Sequence, residues 1–445
     1  MPEIASPSAS TLTPAKTARQ RTDTFTSIWM MIAVAMALAT LVTKSRMPQP
    51  LWTMIHLVTL GVLSNGIFQW SWFFARSLAR LSADDPRARR HNTIRVLIFN
   101  AFFALLFVSM WLGWMVGTVI AATGIAAVAA WHGAEMLSVL RERLASRFVV
   151  VVRYYVCSAS FFVLAALLAS FVTVTMFSPS IPEAMVAMRD RLTLAHALSG
   201  VAGWVGLTIG GTVITLGPTI LRTRMSPDAV SGGVRVLLPW CLSLLLAIAG
   251  ALLGVMPLVG AGILAVGACA IVGIVYPYAK VLRNKGPREY SAWSFLLGLL
   301  WISVGVCALG VAALFISTPS QLRALTLMWL PIIGIAGFAQ LFQGALSYLM
   351  PVVIGGGPSI VRIGIAIIDW QFPLRLGLRN SALILELFLF FAGDSTSVHV
   401  LRMAGWFLVI ATFVIDVVIY AKTGVTQARA RRARSETLSE SRQVQ

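Results

Sequence analysis

Long apolar stretches alternate with short polar ones along the whole chain. Twelve stretches are long enough to cross a bilayer as helices, which takes about 20 mostly apolar residues. They lie at 28–44, 50–74, 95–114, 116–138, 149–176, 192–220, 234–255, 258–281, 291–317, 325–353, 377–394 and 400–421. The pattern predicts an all-α polytopic membrane protein of about twelve helices, forming a single transmembrane domain over 28–421. The Ser/Thr-rich segment 1–27 and the basic segment 422–445 are expected to be disordered tails, because neither can bury a core. The longest interruption between spans, 354–376, opens with Gly355-Gly356-Gly357-Pro358, which breaks the preceding helix. The rest of it suits a short interfacial helix, with Trp370 and Phe372 at headgroup depth.

Charge sets the direction of threading. With the N-terminus inside, only Lys44, Arg46, Arg189, Arg191, Arg323 and Arg402 of the 35 basic residues fall outside. Basic residues concentrate in cytoplasmic loops, so both termini are expected in the cytoplasm. The net charge of +19 is then explained by loops that orient helices and meet anionic headgroups of the lipid bilayer, and nucleic acid is not implied. Charged residues make up only 11% of the chain, far below a soluble domain's share. The four cysteines lie singly inside spans and suggest packing residues, without a disulfide or CxxC framework.

The second, sixth and tenth spans are similar to one another. His56 and His196 stand near the outer ends of the second and sixth, each followed ten residues later by glycine, Gly66 and Gly206. The tenth carries Gln340 and Gln343 in the same band, followed by Gly344. This four-helix period suggests three four-helix arcs in a pseudo-threefold arrangement, with these three helices lining the centre.

Few residues carry chemistry. Imidazole on a membrane helix suits haem iron or copper, and it serves equally as an interhelical hydrogen-bonding group. His56 and His196 are the candidate cofactor ligands, and His399, in an outer segment, is a weaker candidate metal ligand. His91 and His132 are expected at the surface. Glu386 lies mid-span, where a carboxyl group is costly and faces protein or water. It is expected in the interior, as a proton relay or a neutral hydrogen-bonded acid. Asp416 is expected to pair with Arg379 or Lys422. Asn65, Gln69, Asn100, Gln340 and Gln343 are amides within spans, suited to interhelical hydrogen bonds.

The helix count and His56-Leu57-Val58-Thr59-Leu60-Gly61 with Gln69-Trp70-Ser71 resemble the haem–copper oxidase catalytic subunit. So do Ala195-His196 with Gly203-Trp204-Val205-Gly206 and Gly344-Ala345-Leu346-Ser347-Tyr348. The chain is more closely similar to NnrS-like membrane proteins and to the actinobacterial module that accompanies copper-containing oxidases. The resemblance implies haem b or copper at His56 and His196, and a role in electron transfer, copper handling or nitrogen-oxide stress. It also implies a separate extracytoplasmic multicopper oxidase as partner and the bacterial cytoplasmic membrane as location. The departures are equally specific. The tenth span has no histidine, and the sixth and seventh together have only His196. A complete oxygen-reducing centre cannot be assembled, and whether the chain is an enzyme stays open. The alternatives are a permease without a redox group, or a membrane scaffold or assembly factor.

Overall fold

The computed structural model describes residues 28–33, 35–36, 49–82, 85–143, 149–177, 182–393 and 395–443. Every regular element among them is helical. In chain order these are α1 Pro50–Leu78, α2 Arg87–Trp111, α3 Met115–Glu142, α4 Val150–Phe177, α5 Ala184–Ile220, α6 Pro227–Leu253, α7 Met256–Asn284, α8 Tyr290–Phe315 and α9 Pro319–Ile354. Then follow α10 Pro358–Ile368, α11 Phe372–Leu389 and α12 Thr396–Gln443. All but α10 and α11 are long and apolar enough to cross a membrane, which makes ten. The chain is an all-α, multi-pass membrane protein.

Two of the twelve expected spans differ from the rest. The first falls largely outside the described residues, with only 28–33 and 35–36 seen, as helix. The eleventh, α11, carries Arg375, Arg379 and Glu386, all at most 4% exposed. Its charges sit on the inward side, so its total hydropathy understates how apolar its outer side is. Between α9 and α10, Gly355, Gly356 and Gly357 have φ of 73°, 97° and 91°, a left-handed run open to glycine and strained for other residues. The expected helix break and the short helix after it are both present. The segment from 422, expected as a disordered tail, is instead helical through Gln443. Its side chains satisfy the broken end of α9. Gln427 donates to Pro351 O at 2.7 Å, Arg431 to Ile354 O at 2.8 Å and Arg434 to Gly356 O at 3.0 Å. The last carbonyls of a helix need such partners.

The chain divides into two compact units, 1–208 and 209–445, with the boundary inside α5. The first unit packs α2 on α3, α3 on α4 and α4 on α5. Its core is aromatic: Phe68, Phe99, Phe103, Phe162, Trp72 and Trp204 are all buried. Phe162 and Trp204 stack with ring centres 4.6 Å apart. The second unit packs α6, α7, α8 and α9 in succession, with α12 against α10 and α11. Small residues set these approaches, as is usual where lipid supplies no hydrophobic drive between helices. A Cβ on Gly298 of α8 would lie 2.5 Å from Leu341 N and 2.8 Å from Gly337 O of α9.

The three related spans share a feature that hydropathy does not reveal. Each contains a long stretch of wide π turns, Leu57–Ser64 in α1, Leu198–Gly206 in α5 and Ile333–Ala339 in α9, whereas α2 and α7 carry only the shorter Arg87–His91 and Ile271–Val275. π turns are rare and concentrate at functional sites. Side chains help to satisfy the carbonyls they displace: Ser64 Oγ donates to Thr59 O at 2.7 Å and Asn65 Nδ2 to Gly61 O at 2.9 Å.

Immediately after the first and third long π stretches the two units repeat one hydrogen-bonded motif. In the first unit, Trp29 Nε1 donates to Asn100 Oδ1 at 2.6 Å, and Asn100 Nδ2 donates to Asn65 Oδ1 at 2.7 Å. In the second, Trp301 Nε1 donates to Asn380 Oδ1 at 2.9 Å, and Asn380 Nδ2 donates to Gln340 Oε1 at 3.0 Å. Five positions before each asparagine stands a buried arginine, Arg95 or Arg375. Each pairs with an acid on the next long helix, Glu135 or Asp416. The second and tenth spans thus share a repeated set of bonds, and the sixth does not carry it among the described residues.

Candidate functional site

His56 ends the regular first turns of α1, one residue before the π stretch, and His196 lies two residues before the π stretch of α5. Both are in the first unit, and it brings them together. Their rings are nearly parallel, 16° apart, with centres separated by 6.1 Å. His56 also stacks on Trp52 at 4.3 Å. Each ring is anchored through the same atom. His56 Nδ1 is 2.8 Å from Trp52 O, and His196 Nδ1 is 2.8 Å from Ala165 O. A carbonyl oxygen only accepts, so both Nδ1 atoms carry the proton and both Nε2 atoms keep a free lone pair. A carbonyl behind Nδ1 is the arrangement that fixes the tautomer and ring orientation of a metal-binding histidine.

The third candidate histidine, His399, is exposed in the first turn of α12, its amide bonded to Ser395 O. Among the described residues no three His, Cys, Asp or Glu side chains gather as a metal ion would need. The donor set at His56 and His196 therefore fits a group that brings its own equatorial ligands, as haem does, better than a bare copper ion. Copper would need a third ligand, such as the neighbouring Met54 or a water.

Of the intramembrane polar residues, Asn65 and Asn100 bond to each other in the first unit, and Asp416, Gln340 and Gln343 belong to the second. Asp416 is fully buried and pairs with both Arg375 and Arg379, and Tyr290 Oη donates to its Oδ2 at 2.7 Å. Gln343 Oε1 accepts from Arg379 at 2.9 Å and from Tyr290 at 3.1 Å. Gln340 is occupied by Asn380. These amides serve as interhelical bonds, as their residue type suggested. Glu386 is interior as expected, 2% exposed, with Arg402 Nε 3.8 Å from its Oε2. At the α10–α11 turn, outside the spans, Asp369 accepts from Tyr290 N at 2.8 Å, and burial pushes its carboxyl up to about 6.

One histidine is not where sequence reasoning put it. His132, expected at the surface, is 0% exposed. Phe68, Trp72 and Trp204 meet its ring edge-on, at 88°, 87° and 87°. The physical reason is tertiary: aromatic residues of α1 and α5 close over the face of α3 that carries it. Its sequence signal was weak, a lone His in an Ala-rich span. In the sequence Arg379 is already a candidate partner for Asp416, whereas Arg95 and Arg375 count only toward the charge of the loops. Their spacing from Asn100 and Asn380 was a signal that a repeat search anchored on those asparagines would have found.

No protein-family model matches the chain, and no curated protein sequence matches it.

Proposed function

We propose that this protein is a membrane redox protein in which His56 and His196 hold one haem and which passes electrons at the outer side of a bacterial cytoplasmic membrane. The observation that carries this reading is the imidazole pair. The rings are near-parallel, both Nδ1 atoms are tied to backbone carbonyls, and neither Nε2 has a hydrogen bond among the described residues. The ring centres are 6.1 Å apart, close enough for one group to meet both imidazoles. Haem, when bound, supplies a one-electron couple. His56 and His196 would hold the group, with Trp52 stacked on His56 to keep its ring in place. The wide turns after each histidine suit a group inserted between the helices.

The electron-transfer role, rather than oxygen reduction, follows from the ligand count. Among the described residues no third His, Cys, Asp or Glu joins the two histidines, which supports a group held by two imidazoles over a three-histidine copper centre. A separate extracytoplasmic copper oxidase would be the fitting electron partner, and the bias of basic residues supports an orientation with both termini in the cytoplasm.

The test is a reduced-minus-oxidised absorption spectrum and metal analysis of protein purified from haem- and copper-replete cells. The wild type is expected to show a b-type haem spectrum, and His56→Ala and His196→Ala each to lose it while still eluting as folded protein. A colourless, metal-free wild type overturns the proposal and leaves a permease or scaffold in its place.

A further inference from the structure

Three buried nitrogens of the first unit have no hydrogen-bond partner among the described residues: Trp72 Nε1, Arg95 Nε and His132 Nδ1. Their side chains are 1%, 0% and 0% exposed. They share one neighbourhood. The Arg95 guanidinium lies 5.1 Å from the Trp72 ring centre, and the Trp72 and His132 ring centres are 6.3 Å apart. A polar group left unmet at membrane depth costs several kcal/mol, so three together call for a common partner.

Their chemistry defines that partner. Trp72 and Arg95 can only donate. His132 Nε2 is 3.3 Å from Ser71 Oγ, a hydroxyl that either gives or takes a proton there; in the tautomer with the ring proton on Nε2, Nδ1 accepts. Two donors and one acceptor match a molecule that accepts two hydrogen bonds and donates at least one. Charge narrows the choice. Arg95 is already paired with Glu135, so an anion would enter uncompensated and a cation would meet the guanidinium. The ligand is neutral and small.

The second unit supplies an internal comparison. By the repeated motif, Arg375 corresponds to Arg95, Asp416 to Glu135 and Phe413 to His132. There a second guanidinium, Arg379, lies 3.9 Å from the Phe413 ring centre and donates to Thr412, Gln343 and Asp416. Arg375 Nε donates to Trp370 O at 3.0 Å. The position of Arg379 is taken by Phe99 in the first unit. One unit therefore fills this part of its cluster with Arg379, and the other leaves three neighbouring nitrogens without a partner among the described residues.

We propose that Trp72, Arg95 and His132 form a binding site for a buried water molecule, reached from the arginine-rich end of α2 along His91 and Glu135. His91, whose side chain is 40% exposed, has Nδ1 2.8 Å from Glu135 Oε1, and Glu135 Oε2 meets Arg95. On the far side Phe68, Phe162 and Trp204 close the route. The water fixes the His132 tautomer and lets this deeply buried imidazole exchange protons with one face of the membrane only. The site does not depend on what His56 and His196 hold.

The test is hydroxyl-radical footprinting of the full chain in lipid nanodiscs in ¹⁸O-labelled water, read by mass spectrometry. Trp204 is the internal control, since it is equally buried at 2% and its Nε1 is satisfied by Ser64 Oγ at 2.9 Å. Trp72 is expected to take up label several-fold faster than Trp204. His132→Phe, which reproduces the second unit's residue, is expected to bring Trp72 down to the rate of Trp204. Equal labelling of the two tryptophans in the wild type overturns the site, as does labelling of Trp72 that His132→Phe leaves unchanged. Should that variant fail to fold, the wild-type comparison decides alone.

Discussion

At the scale of single residues, the costliest groups in this protein are its buried charges. Arg375, Arg379 and Asp416 are each at most 4% exposed. Two guanidiniums against one carboxylate leave an excess positive charge, spread over Tyr290, Gln343, Thr412 and backbone carbonyls. Removing one partner of a buried pair strands the other, at about 3–5 kcal/mol. Asp416→Asn is therefore expected to lower the thermal unfolding temperature strongly in detergent, since two cations lose their counter-charge together. Glu142→Gln, at a pair whose acid is 51% exposed, is expected to change it little. Equal effects of the two substitutions would contradict this reading. The pairing of Asp416 with Arg379 was legible in the sequence, because a lone acid on a membrane helix needs a cation within reach. The part played by Arg375 was not, since whether one or both arginines of α11 reach Asp416 depends on how the two helices face each other.

At the scale of elements, apolar run lengths predicted most of the helices and their order. Interiors of helices were less readable. The π stretches of α1, α5 and α9 depend on packing and on side chains such as Ser64 and Asn65 that take up displaced carbonyls, and hydropathy is blind to both. Close packing between helices depends on single glycines in the same way. A Cβ on Gly298 would collide with backbone atoms of α9, which cannot swing aside as a side chain can. Gly298→Ala is expected to cost about 1–3 kcal/mol, the usual range for overpacking. Gly286→Ala, where a Cβ meets nothing within 4 Å, is expected to be neutral. Paired melting curves in the same detergent make the comparison, and a neutral Gly298→Ala would show that α8 and α9 separate more easily than their contact implies.

At the scale of the whole molecule, the two units repeat a common set of bonds and put different chemistry on it. The first carries the imidazole pair and the His132 cluster, and the second carries the double-arginine clamp. Orientation in the membrane belongs to this scale too, because it is set by the sum of the loops. In a cysteine-free background, Ser317→Cys, between α8 and α9, is expected to react with an impermeant maleimide in intact cells. Gly286→Cys, between α7 and α8, is expected to react only after permeabilisation. The reverse pattern would invert the protein.

The sequence by itself determined the class of protein, the approximate helix boundaries and the pairing of His56 with His196 as the candidates to watch. Each of these rests on local quantities: the length of an apolar run, the residue types between runs, and the distance of a residue from a helix end. Only the tertiary structure decided which polar side chains meet. It buried His132 beneath aromatics of α1 and α5, closed both arginines on Asp416, and extended α12 through its basic segment to satisfy the carbonyls ending α9. Those outcomes depend on which helix faces lie together, and a hydropathy pattern shows how apolar each helix is without showing which neighbour its polar side will find.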